Sequence, residues 1–417
     1  MSGEAAPQPR PDTRLTVDEA RRRILERVQR PLDEEIVPLA QAAGRTLARD
    51  VAARRTQPPF AVSAMDGYAV RADDLATIPV KLRLIGESAA GRGFDGRLGT
   101  GEAVRIFTGA PVPVGADAIL IQEEARLVDC HVEPTAAVRP GLFVRRRGLD
   151  FSDGEALLAA GTRLTPAALA LAAAMDHASL PVARRPRVCI FATGDELVAP
   201  GSAGGADSIV SSNVYALAAL VEWAGGTAID LGLVGDDLAA IEGTIERAGA
   251  LGCDVLATSG GASVGDHDLV RPALERAGMS LDFWRVRLRP GAPLLHGRLG
   301  RMSVLGLPGN PTSAFVCATL FLVPLVRALS GDPDAGADAQ EAAILGLPLK
   351  ANDARQEFAR ARLERRPGAL PLATPLPAQD SSMVSTLARA QCLIVRDAHA
   401  PAAEAGETCR ILRMPGC

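Results

Sequence analysis

Acidic residues cluster at several points of this 417-residue sequence, each time after a run of residues that predicts a β-strand. Glu196 follows RVCIFAT, Asp236 follows TAIDLGLV, and Asp266 and Asp268 come shortly after CDVLATS. Carboxylates that converge on one place repel each other unless they share a cation, and hard oxygen ligands suit Mg²⁺. The spacing therefore predicts a magnesium or similar divalent-cation site built from these acids.

A glycine pair stands beside the acids, in the run Ser259-Gly260-Gly261. Glycine lets backbone N–H groups approach an anion closely, and a nearby helix start favours negative charge. A cation next to such a phosphate cradle indicates phosphoryl or phosphoanhydride chemistry.

Each of these features also has a purely structural interpretation. Asp236 or Asp237 could cap the next helix, and Asp195 and Glu196 could be first-turn acids that stabilise a helix dipole. The glycine pair and the run LPGNP could be simple turns, and His267 a surface residue, since no second histidine lies at ligand spacing. The functional interpretation gains weight because five such loops fall on one predicted sheet edge.

That edge belongs to residues 187–331, where strand and helix patterns alternate. The alternation predicts a doubly wound α/β sheet, in which ligands bind at the carboxyl ends of the strands. The strand patterns are RVCIFAT, TAIDLGLV, CDVLATS, FWRVRL and SVLGL; the helix patterns run from Asn213 to Trp223, Asp237 to Ala248, about Asp268 to Arg276, and from Pro311 onward.

The other regions predict further domains. A helix capped by Thr16 is expected from Val17 to Gln29, and short strand-like runs after Ala342 predict a small β-barrel or sandwich. We expect a disordered tail over 1–13, a helical linker domain over 14–50 and 154–186, a β-rich domain over 51–153, the α/β domain over 187–332, and a C-terminal β domain over 340–417.

Charge and composition argue against several classes of protein. A net charge of −4 does not suit a general nucleic-acid binder. The seven cysteines form no CxxC pair and their number is odd, which argues against a disulfide framework and favours a reducing cytoplasm. The first residues lack the apolar core of a signal peptide, and the longest apolar stretches are short for a bilayer, so we expect no membrane anchor.

Several motifs follow one another along the chain: FAVSAMDGYAV at 60–70, FTGAPVPVGADAI at 107–119, RRRGLDF at 145–151, FATGDEL at 191–197, TSGGASVGDHD at 258–268, LGLPGNPTSA at 305–314 and QDSSMVSTLARAQCLIV at 379–395. They resemble hallmarks of the molybdopterin molybdenumtransferase family, which includes the E domain of gephyrin. The resemblance covers nearly the whole chain after the first dozen residues.

The resemblance implies an enzyme of molybdenum cofactor synthesis. Such an enzyme inserts molybdate into adenylylated molybdopterin and releases AMP, assisted by Mg²⁺ or a similar cation. The resemblance also implies four subdomains and an elongated homodimer, in which Asp66 of one subunit reaches the α/β loops of its partner. A molybdopterin adenylyltransferase that delivers the substrate could be a further partner.

Family roles carry over to the matching positions of this chain. The acids expected to be catalytic are Asp66, Glu196, Asp236 and Asp268, and the last three are also the expected metal ligands. Molybdate, a dianion that needs guanidinium and hydroxyl donors, is expected at Arg360 and Ser381. The expected substrate-binding residues are Thr108, Asp150, Ser259, Gly260, Gly261, Ser263, Arg289, Pro308 and Pro311. Thr108, Asp150 and Ser381 could instead be turn residues.

The sequence departs from the family pattern at one position. Where the family often shows KPGKP, this chain has Arg289 in place of the first lysine and Ala292 in place of the second. Loss of a charged hydrogen bond would weaken anion binding roughly tenfold to a hundredfold unless Arg287, Arg289 or Arg298 compensates. The chain could be fully active, catalytically weak, or altered in anion preference, and the intact motifs favour an active enzyme.

Two other classes of protein remain open. Molybdopterin adenylyltransferases share a similar GGxSxG loop but lack the SAMDGY domain and the C-terminal β domain. A non-catalytic molybdopterin-binding scaffold would not need its acids, yet Asp66, Glu196 and Asp268 are present. AMP release on addition of molybdate separates the three classes, because a scaffold releases none and an adenylyltransferase consumes ATP.

Overall fold

The structure divides into two units, one built mainly of short strands and one that contains the predicted α/β region. The computed structural model describes residues 14–28, 32–261 and 269–415. The first unit, here called the β unit, contains residues 36–43 and 49–181. The second, here called the α/β unit, contains the described parts of 1–35, 44–48 and 182–417.

Short strands dominate the chain up to residue 183. Helix α1 (Val17–Glu26) begins as predicted, with Thr16 Oγ1 accepting the Glu19 N–H at 3.1 Å, and ends at Glu26 rather than at Gln29. The elements that follow are β1 (Glu34–Pro38), β2 (Val51–Ala52), β3 (Val62–Ser63), β4 (Gly67–Val70), β5 (Leu82–Ser88), β6 (Glu102–Ile106), β7 (Ala118–Ile121), β8 (Ala125–Val128), β9 (His131–Pro134), β10 (Val144–Arg145), β11 (Ala156–Leu158), α2 (Pro166–Ala174) and β12 (Ser179–Ala183).

The central sheet of the β unit has the strand order β7-β4-β6-β5-β9-β8. β4 lies inside this sheet and pairs with β6 on one side and β7 on the other. Gly67 is required at its start, because a Cβ atom there would collide with the Leu120 carbonyl oxygen. The preceding residue, Asp66, is therefore carried by a backbone that is held from both sides.

Strands and helices alternate from residue 187 to residue 329. They are β13 (Arg187–Thr193), β14 (Leu197–Val198), β15 (Ile209–Val210), α3 (Asn213–Trp223), β16 (Thr227–Val234), α4 (Leu238–Ala250), β17 (Val255–Ser259), α5 (Val270–Arg276), β18 (Ser280–Trp284), β19 (Leu288–Arg289), β20 (Leu295–Leu299), β21 (Met302–Leu307), α6 (Pro311–Cys317), a π-helical turn (Ala318–Leu322) and α7 (Val323–Leu329).

Six of these strands form one sheet in the order β16-β13-β17-β21-β20-β18. The first four run parallel to one another, and β20 runs antiparallel to both of its neighbours. Buried side chains join α3, α6 and α7 to one face and α4 and α5 to the other. Helices therefore cover both faces, which confirms the predicted doubly wound α/β sheet.

The single strand predicted for FWRVRL is wrong, because the chain turns within it. β18 ends at Trp284, and Arg285 adopts a φ of +85°. A non-glycine residue with positive φ breaks an extended strand. Only Leu288, the last residue of the run, lies in β19 (Leu288–Arg289), which pairs with the C-terminal domain. β20, which the sequence patterns did not indicate, lies between β18 and β21.

The C-terminal segment forms a closed barrel. Its elements are β22 (Gln340–Leu345), β23 (Gln356–Glu364), β24 (Leu372–Pro375), α8 (Val384–Arg389), β25 (Cys392–Arg396) and β26 (Thr408–Arg413). The strands follow the order β23-β24-β22-β26-β25, and β25 pairs with β23 to close the ring. The structure confirms the predicted small β-barrel, and β19 adds to β23 as an extra strand.

The apolar helix formed by α6, the π-helical turn and α7 is a core element. Residues Pro311–Leu329 have a mean hydropathy of 1.8 and would be long enough to cross a membrane. However, 78% of their most apolar 18-residue stretch is buried inside the protein. Val316, Phe321 and Val326 are fully buried in the core that this helix shares with α3. Packing inside the protein accounts for the apolar composition of this helix.

A buried polar chain ties α1 to the outer strands of the α/β sheet. His296 is fully buried; its Nδ1 lies 3.1 Å from Asp282 Oδ2 and its Nε2 lies 3.3 Å from Ser303 Oγ. Burial lowers the pKa of His296, which favours the neutral imidazole. Arg23 and Arg27 approach Asp282 Oδ1 at 3.9 and 3.6 Å. Asp282 thus links the end of α1 to β18 and β20.

Two cysteines depart from the expectation drawn from the sequence. Cys189 on β13 and Cys253, just before β17, form a disulfide with Cα atoms 6.0 Å apart. The sequence argued against a disulfide framework, but this pair forms because adjacent parallel strands bring the two positions together. Cys317 is buried, and burial raises the pKa of its thiol far above the ordinary value.

Candidate functional site

The carboxyl ends of β16, β13, β17 and β21 meet at one edge of the sheet. The loops after these strands, residues 235–237, 194–196, 259–261 and 308–311, are here called the site edge. Glu196 and Asp236 are both exposed on neighbouring loops. The Asp236 N–H donates to Asp195 Oδ1 at 2.9 Å, which links these loops. Asp237 caps α4 by accepting the Ala240 N–H at 2.8 Å, so the helix cap considered for Asp236 or Asp237 is formed by Asp237.

Ser259 and Gly260 lie at the centre of the site edge. Ser259 is only 2% exposed. Gly260 adopts a φ of +93°, and its N–H donates to the Leu307 carbonyl at 3.1 Å. A Cβ atom on Gly260 would lie 2.8 Å from the Thr193 carbonyl oxygen. The loops after β13, β17 and β21 therefore touch through backbone, and only glycine fits between them.

The loop after β21 connects the site edge to the barrel. Pro308 is buried, and Pro311 is the first residue of α6. Asn310 Nδ2 lies 3.0 Å from Ser381 Oγ, and the Thr312 N–H donates to the Ser381 carbonyl at 3.0 Å. The structure thus places Ser381, one of the two residues expected to bind molybdate, against the loop that carries Pro308 and Pro311.

Arg360, the other residue expected to bind molybdate, is 1% exposed and lies on β23. Its Nε donates to Gln379 Oε1 at 3.1 Å and its Nη1 to the Asp380 carbonyl at 2.7 Å. Burial lowers the pKa of Arg360 from its ordinary value. The guanidinium therefore fixes the two residues that precede Ser381.

Arg289 lies on β19 rather than directly after a strand of the α/β sheet. Its Nη2 forms an ion pair with Glu357 at 2.7 Å and a hydrogen bond with Asn352 Oδ1 at 3.1 Å, and its Nη1 lies 3.6 Å from Asp353. The predicted strand FWRVRL would have placed Arg289 just after a strand of the α/β sheet; this position is wrong because β19 joins the barrel. Its role in substrate binding stays a prediction.

Part of the expected site falls on residues 262–268. Ser263 and Asp268, together with Asp266 and His267, lie outside the described residues. Within residues 14–28, 32–261 and 269–415, no three His, Cys, Asp or Glu residues form a group that could hold a metal ion. Glu196 and Asp236 are the two expected metal ligands that the structure places at the site edge.

Asp66 and Thr108 are two expected site residues of the β unit, and they contact each other directly. Asp66 Oδ1 accepts the Thr108 N–H at 2.7 Å and its hydroxyl at 2.8 Å. These hydrogen bonds, from the backbone first, and the nearby Arg105 guanidinium lower the pKa of Asp66. Arg105 lies over the rings of Tyr68 and Phe107 at 5.1 and 4.9 Å and donates to the Gly67 carbonyl at 3.2 Å. Two residues predicted from different motifs are therefore in direct contact.

Asp150 belongs to the same unit. The segment that carries it runs beside residues 57–63, since the Asp150 N–H donates to the Gln57 carbonyl at 3.0 Å and β10 pairs with β3. The Asp150 side chain is exposed, and so are Arg145, Arg146 and Arg147. This exposed surface could meet an anion, but its role in substrate binding stays a prediction.

Two polar residues that were not predicted from the sequence, one within the site edge and one beside it, also bond to it. Asn213, the first residue of α3, donates from Nδ2 to Ser259 Oγ and to the Gly309 carbonyl, both at 2.7 Å. Asn310 lies within LPGNP but was treated there only as part of a turn. An asparagine at a helix start ordinarily indicates a cap, so the sequence carried no separate signal for Asn213.

The fold and the site edge together define a class of protein. Glycine loops and acids at the carboxyl edge of a doubly wound sheet form a ligand site in many α/β enzymes. Here a closed barrel contributes a buried arginine and a serine next to that edge. The molecule is therefore a multidomain α/β protein whose barrel adjoins the ligand edge of its sheet.

Comparisons with known proteins identify the family. Residues 15–175 match the MoeA N-terminal region, domains I and II; residues 189–328 match a probable molybdopterin binding domain; residues 342–413 match the MoeA C-terminal region, domain IV. A molybdopterin molybdenumtransferase of Haemophilus influenzae is 34% identical over 95% of this chain and 98% of its own length. One from a Nostoc species is 41% identical over 72% of this chain and 70% of its own length.

A solved structure agrees with these matches. The molybdopterin biosynthesis MoeA protein of Pyrococcus horikoshii OT3 superposes with a TM-score of 0.83, at 28% identity, over 96% of this chain and 99% of that protein. The chain belongs to the molybdopterin molybdenumtransferase family, whose members are enzymes of molybdenum cofactor biosynthesis. The family resemblance and the enzyme class inferred from the motifs are confirmed.

Proposed function

We propose that this protein inserts molybdate into adenylylated molybdopterin with release of AMP. The observation that carries the proposal is the contact between Ser381 of the barrel and the loop after β21, which brings the expected molybdate site next to the Ser259-Gly260 cradle. A dianion held at the barrel would then lie beside a phosphate-bearing ligand at the sheet edge. The 34% identity to a named transferase, over 95% of this chain and 98% of that protein, supports the same activity.

The residues have distinct expected tasks. Backbone N–H groups after β17 and the Ser259 hydroxyl would bind the phosphate end of the substrate. Ser381 would donate to molybdate, and Arg360 would hold the loop that carries Ser381. The carboxylates of Glu196 and Asp236 are hard oxygen donors on adjacent loops, a set that suits Mg²⁺. Bound there, Mg²⁺ would neutralise phosphate charge.

AMP release tests the reaction. Purified protein is mixed with adenylylated molybdopterin and Mg²⁺, molybdate is titrated, and AMP is quantified, with Ala292→Lys in parallel. We expect release by the native protein, with the lysine variant requiring about tenfold to a hundredfold less molybdate if arginines do not compensate for Ala292. Tight substrate binding with no AMP release from either protein would contradict the transferase and indicate a scaffold. Consumption of ATP would indicate an adenylyltransferase.

We further propose that the protein acts as a homodimer in which Asp66 of one subunit completes the site edge of the other. Mixing Asp66→Asn subunits with Glu196→Gln subunits tests this arrangement. Each variant alone should be nearly inactive, but a mixed dimer contains one site with both native carboxylates. Recovery of AMP release on mixing supports a shared site, whereas two inactive variants that stay inactive after verified subunit exchange contradict it.

The cation can be tested separately. Magnesium binding to the protein with bound substrate is measured by calorimetry for the native chain, for Glu196→Gln and for Asp236→Asn. Weaker binding in both variants supports a shared cation, while unchanged binding excludes these two carboxylates as ligands. Substitution of Mn²⁺ or Zn²⁺ in the same titration establishes which divalent cation binds most tightly.

A further inference from the structure

Two asparagine–serine pairs flank a single peptide bond at the site edge. Asn213 contacts Ser259 Oγ and the Gly309 carbonyl, and Asn310, the residue after Gly309, contacts Ser381 Oγ. Ser259 belongs to the expected phosphate cradle and Ser381 to the expected molybdate site. One chain of contacts, which passes through the Gly309–Asn310 peptide, therefore connects the two places where anions are expected.

The Gly309 carbonyl decides the direction of the hydrogen bonds around Asn213. A carbonyl oxygen only accepts, so the Asn213 amide must turn its NH₂ group toward it. The same Nδ2 lies 2.7 Å from Ser259 Oγ, which therefore acts as the acceptor in that bond. The hydroxyl hydrogen of Ser259 is left to donate elsewhere. Asn213 thus prepares a nearly buried hydroxyl as a donor.

The surrounding backbone has little freedom to take over this task. The Gly260 N–H is bonded to the Leu307 carbonyl, and Gly309 packs so that a Cβ atom on it would lie 3.8 Å from Gly260 Cα. On the β13 side, a Cβ atom on Gly260 would lie 2.8 Å from the Thr193 carbonyl oxygen, so these two stretches of backbone are closely packed. The backbone sets where the loops lie. It does not set the rotation of the Ser259 hydroxyl, which would turn freely if it had no hydrogen-bond partner. The Asn213 amide supplies that partner.

We propose that Asn213 is a positioning residue that couples the phosphate cradle to the molybdate site. It orients the Ser259 hydroxyl as a donor toward substrate phosphate, and through the Gly309 carbonyl it holds the peptide from which Asn310 reaches Ser381. This inference rests on the proposed function, since it assumes that Ser259 and Ser381 meet the two anions. Asn310 serves only the second of them.

A double-mutant cycle tests the first half of the coupling. Dissociation constants for adenylylated molybdopterin are measured without molybdate for the native chain, Asn213→Ala, Ser259→Ala and the double variant. Each single change should weaken binding about tenfold to a hundredfold, the range for a hydrogen bond to a charged group. The double variant should bind no more weakly than Ser259→Ala, because Asn213 acts through that hydroxyl. Independent, multiplying effects would overturn the proposal.

The second half of the coupling, from Asn213 to the molybdate site, is tested with Asn310→Ala as a matched control. This variant also removes an asparagine side-chain amide beside Gly309. Asn310→Ala should raise the molybdate concentration needed for half-maximal AMP release and leave the affinity for adenylylated molybdopterin unchanged. Asn213→Ala should change both quantities. An Asn213 variant with native molybdate dependence would overturn the link through Gly309.

Two further measurements separate the possible failures. Thermal unfolding establishes that each variant is folded, and Asn213→Ser replaces Asn213→Ala if the alanine variant is not. If the native protein binds adenylylated molybdopterin but releases no AMP, the transferase proposal fails while the binding cycle still tests Asn213. If AMP is released normally and the cycle shows independent effects, only the role of Asn213 fails.

Discussion

Asp66 in the β unit and Ser259 in the α/β unit each accept hydrogen bonds from one neighbouring residue, but with opposite results. Thr108 gives Asp66 two donors on the same oxygen, which stabilises the carboxylate charge. Asn213 gives Ser259 one donor, which leaves the serine hydrogen available. The first arrangement maintains a negative charge and the second prepares to receive one. Hydrogen bonds of similar length can therefore either stabilise a negative charge or leave a hydroxyl hydrogen free to bind one.

Removal of the Asp66 charge should have the largest effect. Asp66→Asn keeps an oxygen that can accept from Thr108 but loses the charge, so AMP release should fall by about 100-fold to 10,000-fold, the range for an acid–base group. Asp73→Asn, an exposed acid in the same unit, is the control and should retain native activity. An Asp66→Asn variant with native rates would show that the carboxylate charge has no part in the reaction.

Arg360, like Asp66, forms hydrogen bonds with neighbouring residues, and we expect these bonds to stabilise the barrel. Arg360→Lys keeps the charge but cannot bond Gln379 and Asp380 as the guanidinium does, so the free energy of unfolding should fall by about 1–3 kcal/mol. The molybdate requirement should rise because the Ser381 loop is loosened. Denaturant unfolding and AMP release measure the two effects. A stable variant with a raised molybdate requirement would instead indicate direct contact between Arg360 and the anion.

Gly260 tests whether the cradle depends on backbone contact. Gly260→Ala introduces a Cβ atom 2.8 Å from the Thr193 carbonyl at a φ of +93°, so the free energy of unfolding should fall by about 1–3 kcal/mol. Gly243→Ala in α4 is the control, because its Cβ meets nothing within 4 Å, and it should raise stability by up to about 1 kcal/mol. Equal effects of the two substitutions would argue against a tight cradle.

The smallest effect is expected from Thr108→Val, which removes the hydroxyl donor but keeps the backbone N–H donor. Because the lost hydrogen bond lowers the pKa of Asp66, its removal should raise that pKa. The acidic limb of the pH profile of AMP release should therefore move to higher pH, with little change near neutrality. An unmoved acidic limb would mean that Asp66 does not set it.

Local patterns predicted much of this fold, and contacts between distant residues account for what they missed. The limits of α3 and β16 follow from apolar periodicity and glycine stops. The position of Arg289 could not be predicted, because its partners Glu357 and Asp353 are more than 60 residues away. The disulfide and the bonds of Asn213 also depend on strand order, which periodicity does not contain.

The added strand β19 has a consequence for modularity. Its two residues belong by sequence to the α/β region, yet their ladder partners Gln356 and Glu357 lie in the barrel. A chimera joined near residues 332–339 would therefore pair β19 with a β23 of different sequence, and Arg289 would face whichever residues replace Glu357 and Asp353. Exchange of the barrel between homologues should succeed only when residues 287–289 are exchanged with it.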